Sequence, residues 1–206
     1  MVHKLDYGMK MSNIFEADDN STPLTEEEKQ GLIPELVTSR KELNELEARG
    51  IFEAEKWLLT SKQKDILSEK FIKLLHKKMF ESVWKWAGKF RITERNIGVA
   101  PYAIGVELQK LFDDVQYWIA HKTYPTLEIA VRFHHRLVYI HPFPNGNGRH
   151  SRLIADLLMK RLEQTTLNWG EGSLVEISKL RKTYIDALHK ADNGNYSSLI
   201  KFCSNQ

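Results

Sequence analysis

The sequence predicts an all-α fold, a helical bundle in which one short β-hairpin interrupts the helices. Apolar residues recur at intervals of three and four in several long segments, which is the pattern of helices packed on a core. One segment, residues 88–101, departs from this pattern and alternates β-forming with polar residues. With 206 residues, 42% of them hydrophobic and 28% charged, the chain suits a single core. We therefore expect one folded domain with a short appendage.

The appendage is predicted at the N-terminus. Residues 1–37 are expected to form a polar, turn-rich arm and one short helix, and the main domain is expected over 38–206. The first helix of that domain is predicted for 38–49, where two leucines three residues apart punctuate charged residues. Gly50 is well placed to cap its C-terminal end.

The apolar stripes place the remaining elements in order. A helix is predicted for residues 62–86, followed by a two-stranded flap between Gly88 and Pro101, where Ile97 and Val99 belong to the β-forming set. Further helices are predicted for 104–120, for 127–140, after residue 148 through Leu158, for 174–188 and for a short terminal segment at 196–202.

The composition excludes several classes of protein. A formal net charge of +3 is too small to mark a nucleic-acid surface, so any anion site must be local. Cys203 is the only cysteine, which excludes an internal disulfide and a multi-cysteine zinc site. Neither a secretory signal nor a run of about 18 apolar residues is evident, so we expect a cytoplasmic protein without membrane contact.

The stretch HPFPNGNGRHSR at residues 141–152 gathers the groups that can carry chemistry. Pro142 and Pro144 cannot continue the preceding helix, which must therefore end near Ile140 and leave His141 at the start of a loop. An imidazole at a loop is accessible to a substrate and can act as a general base.

The second half of this stretch predicts an anion site. Main-chain amides of Gly146, Asn147 and Gly148 at the start of a helix can bind a phosphate, because they lack intrahelical acceptors and lie at the positive end of the dipole. Arg149 and Arg152, three residues apart, can add charge-assisted bonds and suggest a polyphosphate. A base beside such a cradle favours transfer of a phosphorus-containing group to a hydroxyl. The structural alternative is a capped turn whose arginines make surface ion pairs.

These residues resemble the signature of the Fic family, HPFx(D/E)GNGRxxR. The matching positions are His141, Pro142, Phe143, Gly146, Asn147, Gly148, Arg149 and Arg152. The similarity extends over most of residues 38–203, and within the family it is greatest to the group called mobile mystery protein B. The resemblance implies a Fic-type helical bundle with the hairpin flap before the active-site motif.

The resemblance also implies the reaction, a transfer of AMP from ATP to a Ser, Thr or Tyr hydroxyl of a target protein or of the chain itself. His141 would be the catalytic base, and Phe143 would lie in the core. The turn 146–148 would hold phosphates, with Arg149 and Arg152 steadying the phosphate tail.

Other roles implied by the resemblance lie outside the motif. The flap, through Ile97, Gly98 and Val99, would dock an extended piece of the target by strand addition. Tyr184 and Asp192 match positions that contact adenine in related proteins.

Asn145 departs from the family pattern, because the family usually has Asp or Glu there as a ligand of Mg²⁺. A neutral amide oxygen is a poorer ligand for a hard dication, so use of Mg²⁺ or Mn²⁺ is expected to be weakened.

An inhibitory helix carrying (S/T)xxxE(G/N) is a second family feature, in which the glutamate pairs with the second motif arginine. Thr38 and Glu42 have this spacing, although leucine follows the glutamate. We expect Glu42 to pair with Arg152 in an autoinhibited state; the alternative is a solvated helix residue.

The resemblance leaves other functions and partners open. A catalytically weak nucleotide-binding module is one alternative, and transfer of another phosphate-containing group is a second. A kinase is disfavoured by Gly148, because the phosphorylating branch of the family has lysine there. A toxin-like chain with a small antitoxin-like partner, and a homo-oligomer, are also open.

Overall fold

The structure is a computed structural model of the chain. It describes residues 30–33, 37, 40–61, 63–163, 165–170 and 174–204. The first 29 residues, which hold most of the predicted arm, lie outside this range, as does Thr38. The proposed division at residue 37 therefore stays a prediction.

The described residues form a helical bundle, as predicted. Its helices are α1 (Arg40–Thr60), α2 (Glu69–Phe80), α3 (Ile104–His121, after a 3-10 turn at Pro101–Ala103), α4 (Thr126–Ile140), α5 (Asn147–Glu163), α6 (Leu174–Asp192) and α7 (Ser197–Cys203). The β-type pairing in the described part of the chain is one isolated antiparallel bridge between Leu32 and Trp84. None of the helices described is both long and apolar enough to span a bilayer.

The core of the bundle lies between α4 and α5, which pack along each other and carry the site between them. Both helices are largely buried, because their apolar stripes face α2, α3 and α7. Four phenylalanine side chains of this core are fully buried: Phe80, Phe112, Phe133 and Phe143. The chain reversal between α4 and α5 thus rests on packed aromatic rings.

Helix α1 is longer than predicted, because Gly50 does not end it. Gly50 is buried in the middle of the helix, where a Cβ would lie 2.3 Å from the carbonyl oxygen of Met79 in α2. The glycine therefore allows α1 and α2 to approach closely, and the buried face of α1 continues to Ala54 and Glu55. This packing stabilises residues that the cap prediction had assigned to a loop.

The predicted hairpin is absent: residues 89–100 contain no strand and form an irregular loop, here called the flap loop. Its backbone bonds to the motif instead of to itself. Arg91 N–H donates to the Pro142 carbonyl at 2.9 Å, and Val99 N–H donates to the Ile140 carbonyl at 3.3 Å. The alternating pattern predicted a hairpin, whereas the backbone partner of this segment is the chain around His141.

Candidate functional site

The loop between α4 and α5 carries the candidate site. His141 follows α4 with a φ of 53°, a left-handed conformation that is uncommon for a residue with a side chain. Gly146, at the other end of the loop, has a φ of 78°, and a Cβ there would lie 2.6 Å from the ring of Phe80. The loop therefore turns sharply at both ends, and the glycine is required at the second turn.

His141 lies partly buried at the mouth of this loop. Burial lowers the pKa of its imidazole, the backbone carbonyl of Val138 opposes that shift, and the nearby charges of Arg91 and Arg95 add to it. The ring is therefore neutral at neutral pH, which is the form that can accept a proton.

Asn147 holds the loop in shape through its side chain. Phe143 N–H donates to Asn147 Oδ1 at 2.9 Å, and Asn147 Nδ2 donates to the Phe143 carbonyl at 2.8 Å. The Phe143 ring lies in the core and stacks on His76 with ring centroids 3.7 Å apart. The asparagine side chain is thus an internal brace, and only its main-chain amide remains for an anion.

His76 supports the loop from below and was not anticipated from the sequence. Gly88 N–H donates to His76 Nδ1 at 3.0 Å, so Nε2 carries the proton and donates to the Asn145 carbonyl at 3.1 Å. Burial lowers the pKa of His76 well below its usual value, which keeps this tautomer neutral. In the sequence, His76 is only a histidine on the buried face of a predicted helix, and nothing there indicates that it contacts the motif loop.

The N-terminus of α5 is the predicted phosphate cradle. His150 N–H donates to the Gly146 carbonyl at 2.9 Å as the first bond of the helix, so the amides of Asn147, Gly148 and Arg149 precede the helical ladder. A Cβ placed on Gly148 would have no atom within 4 Å. The space beside Gly148 is therefore open, at the positive end of the helix dipole.

Arg149 contacts an acidic residue of α1. Its Nη1 donates to Glu47 Oε2 at 2.7 Å, and the other oxygen of Glu47 accepts a bond from Trp84 Nε1 at 2.6 Å. Glu47 is only 2% exposed. Glu47 was not predicted from the sequence, because a glutamate among several charged residues of a helix has no distinguishing spacing.

The predicted pairing of Glu42 with Arg152 stays a prediction. Glu42 is exposed in the first turn of α1, whereas Arg152 is 2% exposed within α5. Burial lowers the pKa of Arg152 to about 10, and the nearby hydroxyl of Tyr184 opposes that shift. In this arrangement Arg149 is the motif arginine at the open side of the cradle, and Arg152 lies behind it in the core.

The two predicted adenine contacts have structural partners. Tyr184 is 4% exposed and shares a hydrogen bond of 2.8 Å with His134 Nε2. Asp192 is exposed at the end of α6 and accepts a bond from His135 Nε2 at 2.9 Å. Contact with adenine stays a prediction for both residues.

Metal binding by Asn145 stays a prediction, and one lone pair of its side-chain oxygen is already used. Its Oδ1 accepts the Gly146 amide at 2.6 Å, and the Oδ1 of Asn147 is bonded to the Phe143 amide. The loop 141–148 contains no carboxylate, and the part of the chain that the structure describes has no group of three or more His, Cys, Asp or Glu placed to hold an ion. Without a carboxylate in the loop, most ligands of a divalent cation would come from the nucleotide and water.

The flap loop borders the site on the outer side. Ile97 is 59% exposed, Gly98 has a φ of 105°, and Val99 is half-buried against the motif. An open cavity of about 490 Å³ lies along the flap and is lined by Arg91, Ile92, Glu94, Pro101 and Tyr102. The docking role of the flap stays a prediction, and these exposed apolar groups are the surface that it would use.

A family model described as the Fic/DOC family matches residues 66–159, which run from the start of α2 into α5 and include the whole motif loop. The assignment to the mobile mystery protein B group stays a prediction.

Curated relatives extend the match beyond that range. Protein adenylyltransferase Fic from Nematostella vectensis is 26% identical over 172 residues, which cover 81% of this chain and 39% of that protein. Protein adenylyltransferase fic-1 from Caenorhabditis elegans is 28% identical over 152 residues, which cover 70% of this chain and 28% of that protein. The chain thus spans less than half the length of these relatives.

Solved structures agree with the fold. Fic-1 (residues 134–508) from Caenorhabditis elegans matches with a TM-score of 0.64 at 26% identity, over 78% of this chain and 48% of that one. The N-terminal FIC domain of Bep8 from Bartonella sp. 1-1C has a TM-score of 0.64 at 18% identity, over 82% and 86% of the two chains. The second match, at this identity, concerns the fold alone.

Proposed function

This chain belongs to the Fic/DOC family, and we propose that it is a protein adenylyltransferase that moves AMP from ATP to a Ser, Thr or Tyr hydroxyl of a protein. One observation carries the proposal: a neutral imidazole, His141, stands at one end of a six-residue loop, residues 141–146, whose other end leads into a helix with main-chain amides ahead of its hydrogen-bond ladder. A base and an anion cradle are thereby held in one short, braced segment.

The chain's own groups account for the chemistry. The phosphates of ATP bind at the amides of Asn147, Gly148 and Arg149, where the dipole of α5 and the guanidinium offset their charge. The target hydroxyl donates its proton to His141 as its oxygen bonds to the α-phosphorus. The bond from that phosphorus to the bridging oxygen breaks, and pyrophosphate leaves. A positioned general base contributes about 10² to 10⁴ in rate.

A divalent cation, Mg²⁺ or Mn²⁺, would screen the phosphate charges if it arrives with the nucleotide. The loop offers it no carboxylate, so nucleotide binding should depend less on the metal than in a site with a carboxylate at position 145. No step above is assigned to the ion.

Helix α1 is the proposed restraint on this activity. The Glu47 carboxylate holds Nη1 of Arg149 at 2.7 Å, and a guanidinium that donates to a buried carboxylate has fewer donors left for a phosphate. ATP must therefore compete with Glu47 for Arg149, and the chain is autoinhibited while α1 is docked. The pairing of Glu42 with Arg152 remains a separate prediction, and the Glu47–Arg149 contact is a second restraint from the same helix.

The partners follow from the same reaction. We propose that the acceptor is a protein presenting a hydroxyl, either another protein or a second copy of this chain. We also propose that the chain acts in the cytoplasm. An antitoxin-like partner would act on α1. The open flap, with Ile97 exposed, suits an extended acceptor segment.

Transfer from labelled ATP tests the proposal. The protein is incubated with cell lysate and with ATP labelled at the α- or the γ-phosphate; label on protein from the α position alone is the expected result. Label from the γ position would indicate a kinase, and label from neither would favour a quiet nucleotide-binding module or a different donor. His141→Ala should abolish transfer and retain ATP binding, whereas the exposed His121→Ala should match the wild type.

A further inference from the structure

Arg91 links the flap loop to the segment that carries the base. Its side chain is 3% exposed and donates only to backbone carbonyls among the described residues. Nε bonds the His141 carbonyl at 2.6 Å, and Nη2 bonds the Ile140 carbonyl at 3.4 Å. Nη1 bonds the Thr93 carbonyl at 3.0 Å, and Nη2 also bonds the Val99 carbonyl.

We propose that Arg91 is a positioning residue for the transfer reaction. Its guanidinium holds both ends of the flap loop in a fixed position relative to the His141 peptide, and we call this arrangement the frame. An acceptor hydroxyl docked on the flap loop is thereby placed next to the base. The proposal rests on the function proposed above and adds to it the group that aligns the acceptor with the base.

The geometry of a guanidinium and the backbone conformation of His141 explain why an arginine is suited to this position. A planar guanidinium has five donors in a fixed fork, so it can satisfy carbonyls from two segments at once, which no other side chain can do with the same rigidity. His141 has a left-handed backbone at 53°, a conformation that persists only where the surroundings enforce it. The bond from Arg91 to the His141 carbonyl is such an enforcing contact.

Gly98 shows how closely the frame is packed. A Cβ on Gly98 would lie 2.7 Å from Arg91 Nη2 and 2.7 Å from the Cβ of His141. The turn of the flap loop therefore lies directly against both the guanidinium and the base. An acceptor segment bound along the flap would therefore have a fixed position relative to His141, because this packing leaves the flap loop little freedom to move.

The charge of Arg91 acts on the same imidazole. Burial is the main reason that the pKa of His141 is lowered, and the cations Arg91 and Arg95 lower it further, while the Val138 carbonyl acts in the opposite direction. Removing the Arg91 charge should raise the pKa of His141. The acid limb of the rate profile should then move to higher pH.

Two substitutions separate geometry from charge. Arg91→Gln removes the fork and the charge, whereas Arg91→Lys removes the fork and keeps the charge. Both should lower kcat about 10²-fold, the loss expected when reacting groups are displaced by about 1 Å. Only Arg91→Gln should shift the acid limb. The Kd for ATP, measured by calorimetry, should stay within about twofold, because the amides of the cradle bind phosphate without Arg91. Lys89→Gln, an exposed cation of the same segment, is the control and should behave as wild type.

Measurements without turnover keep the test independent of the proposed function. Amide hydrogen exchange should quicken by more than about tenfold at Val99 in both variants and remain unchanged in α5. The NMR titration of His141, assigned with His141→Gln, should move to higher pH only in Arg91→Gln. If these changes occur but the wild type transfers no label, the frame stands and the proposed function fails. The role of Arg91 would be overturned if both the exchange rate at Val99 and kcat were unchanged in the variants. It would also be overturned if the variants lost ATP binding in proportion to a loss of stability.

Discussion

Replacing Glu47 with glutamine should destabilise the protein and activate it at the same time. The carboxylate has two oxygens, and each accepts one donor, from Arg149 at 2.7 Å and from Trp84 at 2.6 Å. An amide has one acceptor oxygen, so Glu47→Gln must leave one of the two donors without its bond. A hydrogen bond to a charged group contributes about 1.5–3 kcal/mol.

The two effects have calculable sizes. A loss of about 1.5–3 kcal/mol lowers the unfolding midpoint by about 3–12 °C in a domain of this size. The same free energy opposes release of Arg149 to a phosphate in the wild type, so removing it should raise ATP affinity and the transfer rate by about 10- to 150-fold. Activity and stability should therefore change in opposite directions.

Thermal unfolding and transfer from α-labelled ATP measure the two effects on the same samples. The control is Glu53→Gln, which removes an exposed carboxylate of α1 paired with Lys56, and it should change neither quantity measurably. A Glu47→Gln protein with a lower midpoint and an unchanged or lower transfer rate would refute the restraint, because Arg149 would then have no competitor to lose.

Three further predictions follow from the same contacts. Gly148→Asp should leave the unfolding midpoint unchanged, since a side chain there meets open space, and should weaken ATP binding more than about tenfold by placing a negative charge in the cradle; equal affinity in calorimetry would contradict the cradle. Gly50→Ala should lower the free energy of unfolding by about 1–3 kcal/mol, because the Cβ would overlap the Met79 carbonyl, and a wild-type denaturation curve would contradict the packing of α1 on α2. Burial, together with the nearby Asp156, raises the pKa of Glu55 from 4.5 to about 8, so the protein loses stability as pH rises between these two values. The unfolding midpoint of Glu55→Gln should therefore rise relative to that of the wild type between about pH 5 and about pH 9. A difference in midpoint that stays constant with pH would contradict a buried neutral carboxyl.

Helical periodicity predicted the architecture because most of the helices bury one face against a single core. The stripes of residues 104–120 and 127–140 match α3 and α4 closely. Gly50 was misread because a glycine in a charged helix suggests an end, and only the position of Met79 in α2 shows that it allows close approach. Such a tertiary contact has no signal in the local pattern.

The motif was predictable and its surroundings were not. The prolines and glycines of residues 141–148 dictate where α4 ends and α5 begins, so the position of His141 followed from local chemistry. The amides ahead of the helical ladder are shifted by one residue from the predicted set 146–148, because the Gly146 amide bonds the Asn145 side chain. The contacts of Arg91 and Glu47 join residues 50 and 102 positions apart. The alternating pattern around Arg91 suggested a hairpin, because a sequence pattern does not show which segment will supply the hydrogen-bond partners.

Calorimetric titration of ATP into the wild type, Glu47→Gln and Glu47→Gln/Gly148→Asp tests the central claim most directly, since it measures the cradle without any acceptor. Glu47→Gln should bind about 10- to 150-fold more tightly than the wild type, and adding Gly148→Asp should reverse that gain. No heat of binding from any of the three proteins, or equal affinities across the series, would contradict a nucleotide site at the N-terminus of α5.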